Sequence, residues 1–469
     1  RQTRYGTVTG VQTCALPNLE WASILALGHM VDEKLIRQDV RLTHGGEPTF
    51  VSIDDMEGAE WNTDALGEHK RERAEVLVRR LKDKLPAGAL LHTGQGKWYP
   101  GEPLPRWALG LYWRRDGKVI WKNDEWLAKA GQDYGHTVED AHRFAEAMTP
   151  YLGLPTRYVQ AAYEDALAAL LQEAEIPLNL DAEQVDLNDP SSRGQLANKL
   201  SRGLNTPTGY VLPLTWRYDT RHWHSALWQT RRDRLYLVPG DSAMGLRLPL
   251  GSLPWVAEEK REPWIEVDPF APSAPLANFH GEIAARYSHM EQPAPEHPGV
   301  HPQSASDSVT VEVPHTALCV EARGGCLHVF MPPTRTLEQY LEILAVVEAC
   351  AAKLKQPVVI EGYAPPSDTR IEKLLVTPDP GVIEVNIHPA HSWEQLVETT
   401  TLVYAEARLS RLAAEKFMLD GRHAGTGGGN HVTLGGATPA DSPFLRRPDL
   451  LASLITYWQH HPALSYLFS

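Results

Sequence analysis

A glycine-rich stretch, residues 425–436, constrains this chain more than any other segment. It reads Gly-Thr-Gly-Gly-Gly-Asn-His-Val-Thr-Leu-Gly-Gly, so six of its twelve positions are glycine. Because glycine adds no side-chain contact and costs backbone entropy when it is ordered, the stretch leaves little room for ordinary packing. Glycines that lead into Asn430, His431 and a strand-like Val-Thr-Leu indicate a loop laid against a ligand. The alternative is a flexible surface loop.

The composition limits the class of protein and its partners. A chain of 469 residues is too long for one ordinary core, so two or three domains are expected. The net charge of −14 argues against a nucleic-acid groove, which needs basic clusters. No apolar run reaches the roughly 18 residues of a membrane span, and the start does not resemble a secretion signal. We therefore predict a cytoplasmic protein without nucleic-acid or membrane partners.

Both ends of the sequence are irregular. Residues 8–17 look like a translated sequencing adaptor, so residues 1–17 are treated as an artefact and excluded from the fold prediction. Apart from Cys14 in that segment, Cys319, Cys326 and Cys350 remain, and three cysteines cannot form a disulfide framework. This agrees with a reducing compartment. The chain ends at Ser469 without a polar tail, and we expect a fragment truncated at both ends.

Periodicity predicts an α+β protein. Helices are expected over residues 19–40, 68–84, 137–175, 336–354 and 392–417, with residues 158–171 as a packed helix. Strands are expected over residues 49–53, 108–113, 371–376 and 381–387. The pair Gly45-Gly46 is predicted to break the chain before the first of these strands. A proline- and serine-rich linker at residues 291–308 precedes a region with a hydrophobic sheet and helices on one side.

A loop rich in tryptophan, glycine and proline carries three charged candidates. Lys97 and Arg106 are cations suited to phosphate or carboxylate, and Glu102 is an anion suited to a metal. An ion-paired loop anchored by its tryptophans is the equal alternative.

Residues 384–388, Glu-Val-Asn-Ile-His, form the second candidate segment. Alternation along a strand places Glu384, Asn386 and His388 on the same face. A polar row of this kind is costly to bury unless its members bind a ligand or one another, and both possibilities stay open. Glutamates with one histidine suit magnesium or manganese rather than structural zinc. The sequence contains neither the glycine spacing of a phosphate-binding P-loop nor that of a dinucleotide-binding fold.

Four long motifs identify a family resemblance. They are Gly-Gly-Glu-Pro-Thr-Phe from residue 45, Gly-Gln-Gly-Lys-Trp-Tyr-Pro-Gly-Glu-Pro from residue 94, Thr-Pro-Asp-Pro-Gly-Val-Ile-Glu-Val-Asn-Ile-His-Pro from residue 377, and the glycine-rich stretch. With these motifs the chain resembles a large uncharacterised bacterial family. In that family a transglutaminase-like domain is followed by a region similar to glutamine synthetase and glutamate–cysteine ligase, and this chain resembles a fragment of that region.

The resemblance implies a fold and a division of the chain. It implies a glutamine-synthetase-like antiparallel sheet with helices on one face, formed by residues 18–136 and 309–469. Residues 137–290 would be an insert of helices and strands, followed by the linker at residues 291–308. A transglutaminase-like domain is expected in the same full-length chain.

The resemblance also implies ATP-dependent amide ligation on an amino acid or peptide, with Mg²⁺ or Mn²⁺ and ATP as cofactors. The alternative is a non-catalytic ligand- or peptide-binding module of the same fold that works with the transglutaminase-like domain. The implied metal ligands are Glu47, Glu384 and His431, with Glu102, His388 and Asn386 as further candidates. The predicted catalytic residues are Asn430, His431, Lys97 and Arg106, and Gly425, Gly427, Gly428 and Gly429 are predicted to bind the cofactor.

Two positions depart from the family pattern. Thr49 stands where the family has the second glutamate of a Glu-x-Glu strand, and Thr433 stands where the glycine-rich loop has a second histidine. The first departure removes a metal carboxylate, for which Glu102 is the candidate replacement, and the second removes a nucleotide contact.

Overall fold

The computed structural model describes residues 18–102, 105–165, 167–168, 171, 205–230, 234–240, 242–254, 273–290, 313–417, 420–426, 428 and 431–461. The fold is α+β, as predicted, and no helix of this described part is long and apolar enough to cross a membrane. The elements in chain order are α1 (Asn18–Arg37), β1 (Leu42–Glu47), β2 (Thr49–Ser52), α2 (Glu68–Lys82), β3 (Leu90–Gln95), β4 (Trp107–Arg114), α3 (Val138–Met148), β5 (Gln160–Tyr163), β6 (Gly209–Pro213), β7 (Thr215–Arg217), β8 (His222–His224), β9 (Leu235–Tyr236), α4 (Phe279–Met290), β10 (Ala317–Arg323), β11 (Cys326–Met331), α5 (Leu337–Leu354), β12 (Val358–Gly362), β13 (Ile371–Asp379), β14 (Val382–Asn386), α6 (Trp393–Leu409), β15 (Leu412–Ala413), β16 (Lys416–Phe417), β17 (His423–Ala424), β18 (His431–Gly436), α7 (Pro443–Arg446) and α8 (Pro448–Gln459).

The chain divides into two compact units. Unit 1 contains the described residues within Arg1–Val119, Ile265–Pro275 and Asp368–Ser469, and unit 2 contains those within Ile120–Trp264 and Leu276–Ser367. The predicted linker at residues 291–308 and the suspected artefact at residues 1–17 lie outside the described residues. The domain boundaries inferred from the sequence stay predictions.

Unit 1 is built on antiparallel strands with helices on one face. Its neighbouring strands follow the order β15, β2, β14, β13, β4 and β3, and β1 pairs with β18. Side chains of α2 and α6 pack against Leu111, Val376 and Val385 in the core of this unit. Because side chains alternate along a strand, Glu384 and Asn386 lie on the opposite face, which we call the open face.

Unit 2 has a mixed set of strands. Its neighbours follow the order β12, β11, β10, β6, β5 and β9, with the first and last pairs parallel and the others antiparallel. Helix α5 starts where the sequence predicts, since the Thr336 side chain accepts a hydrogen bond from the Gln339 backbone N–H. Its length and apolar character explain why most of its residues are buried.

The pair Gly45-Gly46 does not break the chain, and that prediction is wrong. Both glycines lie inside β1 and pair with Thr433 and Val432 of β18. A Cβ atom on Gly45 would collide with the Thr433 hydroxyl, and one on Gly46 would lie 3.2 Å from the His431 carbonyl oxygen. The glycines therefore permit the close approach of β18. Close approach of another backbone, like a bend, is a recognised reason for glycine within a strand.

The packed helix predicted over residues 158–171 is wrong in its first part. Gln160–Tyr163 forms β5, which pairs with β6 on one edge and β9 on the other. Pairing on both edges satisfies the backbone hydrogen-bonding groups of this segment. This tertiary pairing outweighs the helical pattern of its apolar residues. Helix α6 likewise ends at Leu409, before the predicted residue 417, because Arg411 adopts φ 63° and the chain enters β15.

Candidate active site

Glu384 lies on β14, on the open face of unit 1, with only 3% of its side chain exposed. Both of its oxygens accept hydrogen bonds from Lys97 Nζ at 2.9 Å, and Oε1 also accepts one from Asn386 Nδ2 at 2.8 Å. Asn386 stands two residues further along the strand, on the same face as predicted. The buried carboxylate is therefore neutralised by one ammonium and fixed by one amide.

Lys97 reaches Glu384 from the hairpin that joins β3 and β4. The Gly96 N–H donates to the Arg106 carbonyl at 2.6 Å, and the Arg106 N–H donates to the Lys97 carbonyl at 2.9 Å, so the two-stranded ladder continues beyond β3. Burial lowers the pKa of Lys97, but its bond to Glu384 and the charges of Glu384 and Asp379 outweigh burial and raise that pKa above its usual value. Lys97 is therefore a cation, and its side chain is 37% exposed.

Arg106 is a second cation on this hairpin, and it is buried. It donates to Glu102 Oε1 from Nε at 2.8 Å and from Nη2 at 2.6 Å, and Nη1 donates to Asp379. Its guanidinium carbon lies 4.6 Å from the centre of the Tyr99 ring. Burial lowers the pKa of Arg106, but the bonds to Glu102 and Asp379 raise it overall. Lys97 and Arg106, which we call the cationic pair, are thus held by surrounding acids.

The glycine-rich segment lies against the same sheet face. The hydroxyl oxygens of Thr426 and Thr49 are 2.8 Å apart in a buried hydrogen bond. A Cβ atom on Gly428 would lie 2.9 Å from a methyl group of Thr49 and from one of Val382. Thr49 is the register partner of Glu384, so the segment approaches the face that carries this carboxylate. Only a residue without a side chain allows this approach.

In the glycine-rich segment, four glycines are predicted to bind the cofactor and Asn430 is predicted to be catalytic. A Cβ atom on Gly425 would meet nothing within 4 Å, in contrast to Gly428. Gly427, Gly429 and Asn430 lie outside the described residues.

Glu47 and His431 form a separate pair at the edge of this face. They are register partners of β1 and β18, and Glu47 Oε2 lies 2.8 Å from His431 Nδ1. The backbone N–H groups of Val385 and Ile387 bond to the carbonyls on either side of Glu47, at 2.9 and 3.0 Å, which places Glu47 opposite Asn386. The His431 side chain is 66% exposed. The pair therefore offers an imidazole to solvent beside the open face.

His388 does not join Glu384 and Asn386, and the prediction of three polar side chains on one face is wrong for this residue. Its ring packs edge-on against Trp113 at 5.0 Å, and Trp113 belongs to the core on the helix-covered face. The reason is that β14 ends at Asn386, so strict alternation does not extend to residue 388. Burial lowers the pKa of His388 and favours its neutral form.

The chain matches the model of one protein family. A family model described as "Putative amidoligase enzyme (DUF2126)" matches residues 11–469. The chain belongs to this family. Membership supports a ligase-type function. The match begins inside the segment attributed to an adaptor. No curated protein and no solved structure matches the chain.

The predicted ligands of a divalent metal all belong to unit 1. Among the described residues, no group of three or more histidine, cysteine, aspartate or glutamate side chains could hold a metal ion. A bound metal ion stays a prediction, because Mg²⁺ is usually held by one or two carboxylates together with waters and substrate phosphates. Each predicted ligand meets another group of the chain: Glu384 meets Lys97 and Asn386, Glu102 meets Arg106, Glu47 meets His431, and His388 meets Trp113.

Two residues of the candidate site were missed by sequence reasoning. Asp379 holds Arg106 and raises the pKa of Lys97, yet in the sequence it is one residue of a Thr-Pro-Asp-Pro-Gly turn. Thr426 fixes the glycine-rich segment to Thr49. The signal that could have found Asp379 is its position five residues before Glu384, across a turn that brings the two strand ends together.

Proposed function

We propose that this amidoligase-family chain joins a carboxylate to an amine at the expense of ATP. A carboxylate oxygen of the substrate attacks the γ-phosphorus of ATP, and the bond to the departing ADP breaks. The amine nitrogen then attacks the acyl carbon of the acyl phosphate, the bond to phosphate breaks, and the nitrogen loses a proton. The products are an amide, ADP and phosphate.

The cationic pair on the open face is the observation that carries this proposal. Both steps build negative charge on phosphoryl or acyl oxygens, and fixed cations lower the energy of such transition states. Lys97 is partly exposed and held in one place by Glu384, so it is oriented before a reactant binds. The close approach of Gly428 gives the backbone access to the same face.

The remaining site residues have separate roles in this proposal. Glu384 and Asn386 position Lys97. His431, exposed and oriented by Glu47, accepts the proton that the amine loses. Magnesium enters only as part of the Mg–ATP substrate, and no step is assigned to a resident metal.

Trapping with hydroxylamine tests the proposal. The full chain is incubated with Mg–ATP, hydroxylamine and a panel of amino acids and short peptides, because hydroxylamine converts an acyl phosphate into a stable hydroxamate. The expected result is hydroxamate and ADP in equal amounts with at least one carboxylate. A carboxylate labelled with ¹⁸O should also transfer one labelled oxygen to phosphate. ADP release that needs no carboxylate and transfers no label would contradict the mechanism.

A specific observation also favours a second candidate, a ligand-binding module without turnover. Both oxygens of Glu384 are taken by Lys97, and the two positions that depart from the family pattern, Thr49 and Thr433, make structural contacts. Calorimetry with the same panel separates the candidates. Binding of a carboxylate or peptide without ADP release favours the binding module.

A further inference from the structure

Strand β18 has an outer edge that the proposed function does not use. Its inner edge pairs with β1, from Gly436 opposite Leu42 to His431 opposite Glu47. In the part of the chain that the structure describes, no other strand pairs with β18. The outer edge therefore has room for one more strand.

The bonds that β1 makes on its other side show how the backbone of β1 is turned. His44 exchanges two backbone hydrogen bonds with Ala390, at 2.9 and 2.6 Å, and the Gly46 carbonyl accepts one from the Ile387 N–H at 3.0 Å. Polar groups of alternate residues in a strand point to the same side. His44 and Gly46 therefore turn their N–H and C=O groups away from β18.

Val432 and Leu434 supply the polar groups of the outer edge. They lie opposite Gly46 and His44, and in an antiparallel ladder both members of such a pair turn away from each other. Neither residue makes a backbone hydrogen bond outside that ladder with another described residue. Val432 is 76% exposed and Leu434 is 39% exposed. The outer edge thus offers two donors and two acceptors beside two exposed apolar side chains.

This edge lacks the features that usually prevent pairing with another strand. Natural edge strands are protected by lysines, inward-pointing charges, prolines, bulges or a covering segment. Residues 431–436 read His-Val-Thr-Leu-Gly-Gly, without a proline, a lysine or an acidic residue. A covering segment approaches at the far end, where a Cβ atom on Gly436 would lie 2.4 Å from the Ser442 nitrogen. The end near His431 stays open, and an open edge of this kind favours strand addition.

Two kinds of occupant can add a strand here: an extended peptide and a second copy of β18. A stable dimer interface contains about 20–30 residues on each side, far more than the two outward-facing residues of this edge. Two copies would also bring together two chains of net charge −14, which repel each other. A peptide is held by main-chain hydrogen bonds alone, so the short edge is sufficient for it.

The position of β18 indicates which end of the peptide approaches the candidate active site. β18 begins at His431, the exposed imidazole that Glu47 orients beside the open face. Strand β1 lies between β18 and the end of β14. All strand pairs of unit 1 named above are antiparallel, and an antiparallel strand added to β18 runs toward His431. Its carboxyl end is then the end beside the open face.

We propose that the outer edge of β18 binds a peptide as an added antiparallel strand, and that the carboxyl end of this peptide is the carboxylate substrate. The substrate assignment rests on the proposed function, whereas strand binding does not. Neighbouring strands lie about 4.8 Å apart, so about 14 Å separates the added strand from β14. About four extended residues cover this distance, beyond about three that pair with β18. A peptide of about seven residues can therefore use both the edge and the open face.

Fluorescence anisotropy on the full chain tests strand binding. The probe is the octapeptide Lys-Thr-Val-Thr-Val-Thr-Ser-Gly, labelled with fluorescein at its amino end and with a free carboxyl end. We expect a Kd of about 100 µM or lower. The same peptide N-methylated at every peptide bond cannot donate to the ladder, and it should bind about tenfold or more weakly.

A matched pair of variants separates the backbone of Leu434 from its side chain. Leu434→Pro removes the outward N–H and keeps the hydrogen bonds to β1, so it should weaken binding of the probe about tenfold or more. Leu434→Thr keeps this N–H and loses the apolar side chain, and its affinity should stay within about twofold of the wild type. If Leu434→Pro fails to fold, the comparison of the two peptides on the wild type decides.

Four results overturn strand addition. The probe does not bind, the methylated peptide binds as well as the probe, Leu434→Pro binds as the wild type does, or Leu434→Thr loses as much affinity as Leu434→Pro. The last result would assign the contact to the apolar side chain. Sedimentation adds a further test: a wild-type dimer that Leu434→Pro converts into monomers would assign the edge to a second copy of the chain, and the proposal would be wrong.

Hydroxamate formation tests the substrate assignment. The unlabelled octapeptide should give hydroxamate about tenfold or more faster than its last three residues, Thr-Ser-Gly, because only the longer peptide reaches β18. The octapeptide with an amidated carboxyl end should bind and give no hydroxamate. Equal rates for the octapeptide and Thr-Ser-Gly would overturn the assignment. Binding of the probe without hydroxamate from any carboxylate would contradict the ligase proposal alone.

Discussion

Lys97 and Glu384 are the two residues on which the proposed chemistry most depends. We expect Lys97→Ala to lower the rate of hydroxamate formation about 100-fold or more, because a fixed donor to developing negative charge is removed. Stability should also fall, by about 3–5 kcal/mol, because Glu384 is left as a buried carboxylate without its cation, although Asn386 still bonds to it.

Lys373→Ala is the matched control for this variant, because Lys373 is an exposed lysine on β13 of the same unit. Initial rates and urea unfolding are measured for both variants. A Lys97→Ala protein that keeps wild-type turnover would remove Lys97 from the mechanism, whatever its stability.

Lys70 provides a test of electrostatics that does not involve the site. It is fully buried on α2, and its Nζ donates to the carbonyls of Asp64, Ala65 and Asp379 at 2.8, 3.1 and 2.9 Å. Burial lowers its pKa from 10.5 to about 8. Between these values the folded chain has released the proton that the unfolded chain still holds, so the free energy of unfolding rises with pH.

From about pH 7.5 to about pH 9.5, we expect the wild type to gain about 1–2 kcal/mol of stability relative to Lys70→Met. The methionine variant is less stable at every pH, since three carbonyls lose their donor. Urea unfolding at the two pH values measures the difference. A constant difference would show that Lys70 keeps its ordinary pKa.

The hairpin between β13 and β14 positions Asp379 and Glu384, and its turn depends on Gly381. This residue adopts φ 73°, and a Cβ atom there would lie 2.8 Å from the Asn62 carbonyl oxygen. We expect Gly381→Ala to lower the free energy of unfolding by about 2–4 kcal/mol through backbone strain and this collision. Gly117→Ala is the control, because Gly117 has φ 72° and nothing within 4 Å, so it should lose only about 1 kcal/mol.

Urea unfolding compares the two alanine variants. If both variants lose the same free energy of unfolding, the Asn62 carbonyl moves aside at little cost, and the loss at Gly381 comes from the left-handed backbone conformation alone.

The glycine-rich segment gives a second prediction at this scale. Gly428→Ala should push the segment away from Thr49 and Val382 and lower turnover about tenfold or more, with a change of about 1 kcal/mol or less in stability. Gly435→Ala is the control, since a Cβ atom there would make only an ordinary contact of 3.6 Å with Thr43. Steady-state rates with saturating ATP measure both variants. Equal activity of the two would mean that the close approach at Gly428 serves folding only.

Local patterns predicted the elements whose causes are local. The capping residues Thr336 and Ser392 predicted the starts of α5 and α6, and alternation placed Glu384 and Asn386 together. The sequence could not predict that Lys97, 287 residues from Glu384, would neutralise it. No local pattern specifies which distant strand or loop will pair with a segment.

At the scale of the whole chain, the candidate site is assembled from distant segments. Unit 1 combines the first part of the chain with the last, and unit 2 takes most of the residues between them. The cationic pair and Glu47 come from the first part, whereas Asp379, Glu384 and His431 come from the last. Reading composition along the chain locates segments but does not show that two ends of a sequence form one unit, because that depends on contacts far apart in sequence.

The distribution of charge over the whole molecule leads to the last prediction. The net charge is −14, and three of the four arginines of α2, which form the densest basic run, are engaged with acids. The ion pairs are Arg71 with Glu75 at 2.7 Å, Arg73 with Asp54 at 2.9 Å, and Arg80 with Glu406 at 2.8 Å. Nucleic-acid binding depends on cations that displace counterions from phosphates, and paired arginines on an acidic protein supply few.

We therefore expect no binding of double-stranded DNA or RNA at physiological salt, measured by fluorescence anisotropy, while Mg–ATP binds under the same conditions. The comparison separates a local anion site formed by the cationic pair from a general affinity for polyphosphates. Addition of RNA should leave the affinity for ATP unchanged. If RNA instead competes with ATP, the cations of the hairpin between β3 and β4 belong to a surface that accepts extended phosphate chains, and their assignment to acyl phosphate chemistry would be wrong.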